Sequence, residues 1–152
     1  MKTLIVFYSR TGTTRKVAHE IQKLLKADAE ELIDKNRSGP VGYLQAGKEA
    51  TLEKLTEIKP IQKDPKKYDL VIIGTPIWAY NMCSAIRTYL TEKKLKKVAF
   101  FCTMDNSGDD RTFKKMQELT AIKPKATLTL LTKYVHQKDF SKEVKEFIKK
   151  LK

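Results

Sequence analysis

Five times along this chain a short apolar run ends at a loop and a stretch with helical periodicity follows, and that alternation restricts the fold more than any other feature. Leu4-Ile5-Val6-Phe7 is the first run. Behind it Val17, Ile21, Leu24 and Leu25 fall on one face of a helix, with Arg15, Lys16, Glu20 and Lys23 largely on the other. Ala29 to Asp34 is a weaker strand, and Asp69 to Gly74 is the strongest. Val98 to Cys102 and Ala126 to Leu131 follow as the fourth and fifth strands. Between and after them, helices are marked by Met82, Ile86, Tyr89 and Leu90, by Phe113, Met116 and Thr120, and by Phe140, Val144, Phe147, Ile148 and Leu151. Strand and helix alternating in this way predict an α/β fold, a doubly wound parallel sheet with helices on both faces.

The strands also suggest their own order. The first, third and fourth are almost continuously apolar, as strands covered on both faces must be; the second and fifth carry charge or alternate, as edges do. A five-stranded sheet in the order 2-1-3-4-5 satisfies this. Other orders share the same edges, so the pattern supports this one without requiring it. Residues 1–152 read as a single domain, since no Ser/Pro/Gly-rich linker interrupts the alternation. Asn36 to Pro60 is the least defined stretch. It holds Gly39, Gly42 and Gly47 and the apolar Leu44, Leu52, Leu55 and Ile58, and reads as a loop followed by the second crossover helix.

In such a sheet a ligand sits beyond the carboxyl ends of the strands, where the strand order reverses. That places three loops together: Ser9 to Thr14, Thr75 to Asn81 and Thr103 to Asp109. The first, Ser9-Arg10-Thr11-Gly12-Thr13-Thr14, offers hydroxyls at Ser9, Thr11, Thr13 and Thr14 and runs straight into a helix. Free N–H groups and the helix dipole there favour a phosphate. A simple N-cap needs one hydroxyl, and four in six positions favour the anion. The Lys-Ser/Thr ending of the nucleoside-triphosphate loop is absent, and so is the GxGxxG fingerprint. In the second loop, Trp78 offers an aromatic wall for a planar ligand, with Tyr80 as a second candidate. Pro76 stiffens the chain, and Asn81 suits either a ligand contact or a cap for the following helix. In the third loop, Asp105, Asp109 and Asp110 fit turn and helix-start roles better than catalysis.

These residues resemble the flavodoxin family along nearly the whole chain. Ser9 to Thr14 looks like that family's FMN phosphate loop. Gly74-Thr75-Pro76-Ile77-Trp78-Ala79-Tyr80-Asn81 resembles the second flavin loop of flavodoxin-like oxidoreductases, and Thr103-Met104-Asp105-Asn106-Ser107-Gly108 stands in place of the third. The resemblance implies a flavodoxin-like fold of the short-chain type, FMN as cofactor, and isoalloxazine contacts from Pro76 to Asn81. It also implies that backbone N–H groups of Asp105 to Gly108 bind the pyrimidine edge, with Gly108 lending flexibility. Where the family often carries a second stacking aromatic, this chain has Met104. The implied function is electron carriage with a redox partner. An FMN-dependent NAD(P)H:quinone-type reductase and a protoporphyrinogen-oxidase-like enzyme are the alternatives. No side chain is then required as acid, base or nucleophile, because the flavin performs the redox chemistry.

Charge sets this chain apart from acidic flavodoxins. Its 31 basic and 18 acidic side chains give a net charge of +13, which favours an anionic counterpart, an acidic redox partner among them. A basic nucleic-acid-binding module without flavin is the rival from another class. Against it, no aromatics interleave with the lysine pairs and no recognition motif appears. Cys83 and Cys102 read as two buried thiols rather than a redox pair, and His19 and His136 as structural or solvated, with no metal-ligand spacing around them. No apolar run approaches a membrane span and the first apolar run is too short for a signal peptide, so a cytoplasmic location is expected.

Overall fold

The computed structural model describes residues 1–35 and 53–152. Five strands lie parallel: β1 (Thr3–Phe7), β2 (Asp28–Glu31), β3 (Leu70–Trp78), β5 (Val98–Met104) and β6 (Thr127–Leu131), in the order β2-β1-β3-β5-β6. A two-residue strand, β4 (Asn81–Met82), pairs antiparallel with the far end of β3. The five parallel strands thus stand in the order expected from their sequences, with β2 and β6 at the edges. The helices are α1 (Thr13–Leu25), α2 (Ser84–Glu92), α3 (Asp109–Thr120), α4 (Thr132–Gln137) and α5 (Ser141–Lys149).

The near-continuous apolarity of the central strands has the cause inferred for it. Ile5, Phe7, Leu70, Ile72, Ala99 and Phe101 pack on one face against Val17 and Ile21 of α1 and Val144 and Phe147 of α5. Leu4, Val6, Val71, Ile73, Val98 and Phe100 pack on the other against Ile86 and Tyr89 of α2 and Met116 of α3. Each fully buried Val, Leu or Ile side chain among them stabilises the fold by about 1.5–3 kcal/mol. Gly74 serves this packing directly. A Cβ there would stand 2.0 Å from the Phe101 ring, so the ring crosses the strand where no side chain intervenes.

Four departures from the sequence reading shape the site. β3 runs on to Trp78 and β5 to Met104, so Pro76 and Thr103, both read as loop, are paired strand residues. Pro76 therefore stiffens a strand end, at a position where its missing N–H is tolerated. Met82 lies in β4 instead of α2. Helix α4 is an element for which the sequence pattern gives no signal. Of the segment read as loop and crossover helix, residues 36–52 lie outside the described residues. The rest, 53–60, is not helical: Ile58 bridges Asp34, and Thr56 exchanges hydrogen bonds with Thr88 of α2. Pro60 holds its predecessor in extended conformation, which opposes a helix reaching that far.

Candidate functional site

The chain reverses its strand order between β1 and β3, and a cavity of about 530 Å³ opens there at the carboxyl ends of the strands. Among the described residues its walls come from the three expected loops and one residue more, Thr132 at the start of α4. Of the residues singled out in sequence, Ser9, Arg10, Thr11, Thr13 and Thr14 line it from the first loop. Pro76 through Tyr80 line it from the second, and Thr103 through Ser107 from the third. Gly12, Asn81 and Gly108 do not reach it.

The first loop is shaped by its glycine. Gly12 takes φ 99° at the N-cap of α1, and no side chain caps that end. Its own N–H donates to Ser9 Oγ at 3.1 Å, folding the loop back on itself. The four hydroxyls are therefore not spent on capping, and the positive end of a 13-residue helix faces the cavity. Thr13 and Thr14 are buried. Thr14 Oγ1 meets Thr103 Oγ1 at 2.8 Å, while Thr13 Oγ1 meets His136 Nε2 at 2.8 Å. His136 thus belongs beside the loop, although sequence reasoning assigned it to structure or solvent. The signal that would find it, α4, is too short to show periodicity. His19, in contrast, packs edge-on against Phe7 and takes no part.

Arg10 adds a cation to the cavity wall. It hydrogen-bonds the Tyr8 side chain, whose hydroxyl is nevertheless pushed up to about 12, chiefly by burial, with Cys83 and Asp34 adding to the rise and Arg10 opposing it. The Tyr8 ring stands edge-on to Trp78, centroids 5.5 Å apart, so the indole is braced from behind while one side borders the cavity.

The second loop is a two-residue turn. Ala79 and Tyr80 both take positive φ, 49° and 63°, between the paired Trp78 and Asn81. This is the backbone of a tight hairpin turn, held here by residues that disfavour it by roughly 1–2 kcal/mol each. Tyr80 is left 60% exposed at the cavity mouth. Asn81 turns away from the cavity: its Oδ1 accepts from the Met82 N–H and from Arg87 Nη2, and its amide donates to Glu53. The cap position of α2 belongs to Cys83, so Asn81 does not cap that helix. Asn81 ties the hairpin to buried Arg87 instead.

In the third loop Gly108 caps α3 at φ 110°, and a Cβ on it would stand 2.9 Å from Tyr80 Cα. Its role is close approach of two loops, not flexibility. Asp109 and Asp110 form the first turn of α3, and Asp109 accepts from Thr129. Asp105 lines the cavity. Both cysteines are buried and free, Cys83 with its thiol pushed to about 11 and Cys102 to about 12, in each case mainly by burial. Among the described residues no three His, Cys, Asp or Glu side chains converge as a cation site, and no helix is long and apolar enough to cross a membrane.

Residues 2–151 match a family described as Flavodoxin. Among solved structures, a flavoprotein from Lactobacillus acidophilus NCFM in complex with FMN is similar at 24% identity and TM-score 0.71, over 97% of this chain and 98% of that one. The oxidised flavodoxin 2 from Bacillus cereus superposes with TM-score 0.64 at 16% identity, over 99% and 97% of the two chains. A flavodoxin from the domain Archaea gives TM-score 0.55 at 16% identity, over 99% and 94%. At these identities the structural likeness shows the fold. No curated relative matches the sequence.

Proposed function

This chain belongs to the flavodoxin family, and from that premise we propose that its cavity binds FMN and that the protein carries electrons as flavodoxins do. The observation that carries the proposal is the end of α1. A glycine-capped helix N-terminus, overlaid by hydroxyls, opens into a cavity of ligand size beside a braced indole. A fold alone does not assign a function; the donor set does more. Helix N–H groups and the hydroxyls of Ser9, Thr11 and Thr13 suit a dianionic phosphate. Ile77, Trp78 and Tyr80 suit a planar, largely apolar ring, and the backbone from Asp105 to Ser107 suits its polar edge. The similar Lactobacillus structure is a complex with FMN, which accords with this assignment.

FMN supplies the electron transfer when bound. The chain's residues hold it, keep water from one face with Trp78, and set the field around it. Arg10 at the wall and the net charge of +13 favour negative charge on the ligand. The same charge suits an acidic redox protein as partner, with an association that weakens as salt rises. A cytoplasmic, single-domain carrier is the simplest form consistent with this reading.

A reductase is the second reading, and Met104 favours it. A flexible thioether borders the cavity where relatives often stack an aromatic ring, leaving a face for a nicotinamide or quinone. Reconstitution decides the first question: protein loaded with FMN turns yellow and gives a calorimetric titration with one site, whereas a colourless protein without measurable affinity refutes the proposal. Stopped-flow mixing with NADH or NADPH decides the second. Inertness identifies a carrier, and rapid bleaching identifies a reductase.

A further inference from the structure

Helix α4, six residues long, lies between β6 and α5, and it is fastened to the start of α1. Val135 is fully buried beneath it. Lys16, one turn into α1, donates from Nζ to the Val135 carbonyl at 3.1 Å. Thr132, its first residue, reaches the cavity wall. These anchors present His136 to Thr13, Nε2 to Oγ1 at 2.8 Å. The His136 ring is otherwise exposed, so this contact, not packing, fixes its place.

We infer that His136 is a positioning residue for the phosphate of the bound nucleotide, its Nε2–H donating to Thr13 Oγ1 and turning the Thr13 hydroxyl proton into the loop. The inference rests on the FMN reading above. A hydroxyl can donate once. If the imidazole proton sits on Nδ1, Nε2 accepts a hydrogen bond from the Thr13 hydroxyl and the phosphate meets a lone pair. If it sits on Nε2, Thr13 accepts from the ring and donates to the phosphate. A phosphate dianion therefore selects the second arrangement, and the ring acts through Thr13 on the phosphate alone. The chemical consequence is selectivity: His136 strengthens binding of a phosphorylated flavin and does nothing for an unphosphorylated one.

The test is a pair of titrations, FMN and riboflavin, on the wild-type chain and on His136→Leu and His136→Gln. Gln places an N–H donor near the position of Nε2, and the exposed site spares the core in both variants. In His136→Leu, FMN affinity falls about five- to tenfold, the size of one hydrogen bond, while riboflavin affinity holds. His136→Gln restores most of the FMN affinity. Nitrogen-15 NMR of the His136 ring supplies a readout that a purely structural role would leave still: the proton resides on Nε2 when FMN is added and not when riboflavin is. An unchanged ratio of FMN to riboflavin affinity in His136→Leu, or an Nε2 without a proton in the FMN complex, overturns the inference while leaving the FMN reading intact. Failure of the wild-type chain to bind either flavin overturns the reading on which it rests.

Discussion

The hydroxyls of Thr14 and Thr103 meet 2.8 Å apart in the interior, joining the first turn of α1 to the end of β5. The helix that follows β1 is thereby tied to β5, a strand with which β1 does not pair. Thr14→Val keeps the shape and removes one partner, leaving the Thr103 oxygen buried with that bond unmade. The expected loss is roughly 1–3 kcal/mol. Thr14→Val combined with Thr103→Val leaves neither orphan, and part of the loss should return. Urea denaturation of the flavin-free protein measures both. A double variant as unstable as the sum of the two singles would show that the hydroxyls do not interact.

Gly12 and Gly108 both lie at positive φ, yet they should not respond alike to alanine. Among the described residues a Cβ on Gly12 meets only Arg15 Nη1 at 3.6 Å, the tip of a flexible side chain. Gly12→Ala should cost roughly 1–2 kcal/mol from backbone strain alone. On Gly108 the new carbon meets Tyr80 Cα at 2.9 Å and Ile77 Cγ2 at 3.2 Å, and the backbone atom cannot step aside. The hairpin must move, adding roughly 1–3 kcal/mol of overpacking. Thermal unfolding should rank Gly108→Ala below Gly12→Ala. FMN and riboflavin should weaken together in Gly108→Ala, because the ring wall shifts, whereas Gly12→Ala should weaken FMN more. Equal stabilities would mean that the two loops do not press on each other.

What could be read beforehand followed a physical dividing line. Strands buried on both faces declare themselves by composition, so β1, β3 and β5 were legible and the charged β2 and alternating β6 fell to the edges. The phosphate loop was legible because four hydroxyls and a glycine crowd six positions. Helix α4 was not, since its six residues bury Val135 alone and show no period. The hairpin at Ala79 and Tyr80 was hidden because neither residue signals a positive φ. Local signals left Asn81 open between ligand and cap. Its fate was decided by Arg87, six residues on, through a contact that only the packed structure creates.

Trp78 is the only tryptophan and it borders the cavity, so its emission reports on that wall alone. Adding FMN or riboflavin should quench it in a saturable way. Trp78→Phe preserves an aromatic face and should bind flavin within a few-fold of the wild type. Trp78→Ala loses the stacking surface, and affinity should fall about tenfold, corresponding to an aromatic contact of about 1.4 kcal/mol. Undiminished emission at saturating FMN would place the flavin elsewhere.

Alkali should weaken this protein through its buried acids, and the sign follows from their direction of shift. Burial raises the Cys83 thiol from its ordinary 9.0 to about 11 and the Cys102 thiol to about 12. Tyr8 rises from 10.0 to about 12, and Tyr89 is raised as well, again first through burial. Each folded-state value exceeds the unfolded one, so the unfolded chain sheds these protons first. Their stabilising contribution is complete below pH 9 and is lost as pH climbs from there toward 11 and 12, at about 1.4 kcal/mol per pH unit for each group in transit. Lysine neutralisation works the other way near pH 10, since it relieves repulsion in a chain of charge +13. Cys83→Ala separates the two effects. It removes one thiol and leaves every lysine, so its urea-denaturation stability should fall less steeply between pH 9 and 11 than that of the wild type. The folded wild type should also leave both thiols unreactive toward a disulfide reagent at pH 8, with two equivalents appearing on unfolding. Parallel stability profiles for the two proteins, or rapid labelling of the folded chain, would contradict the burial on which the argument stands.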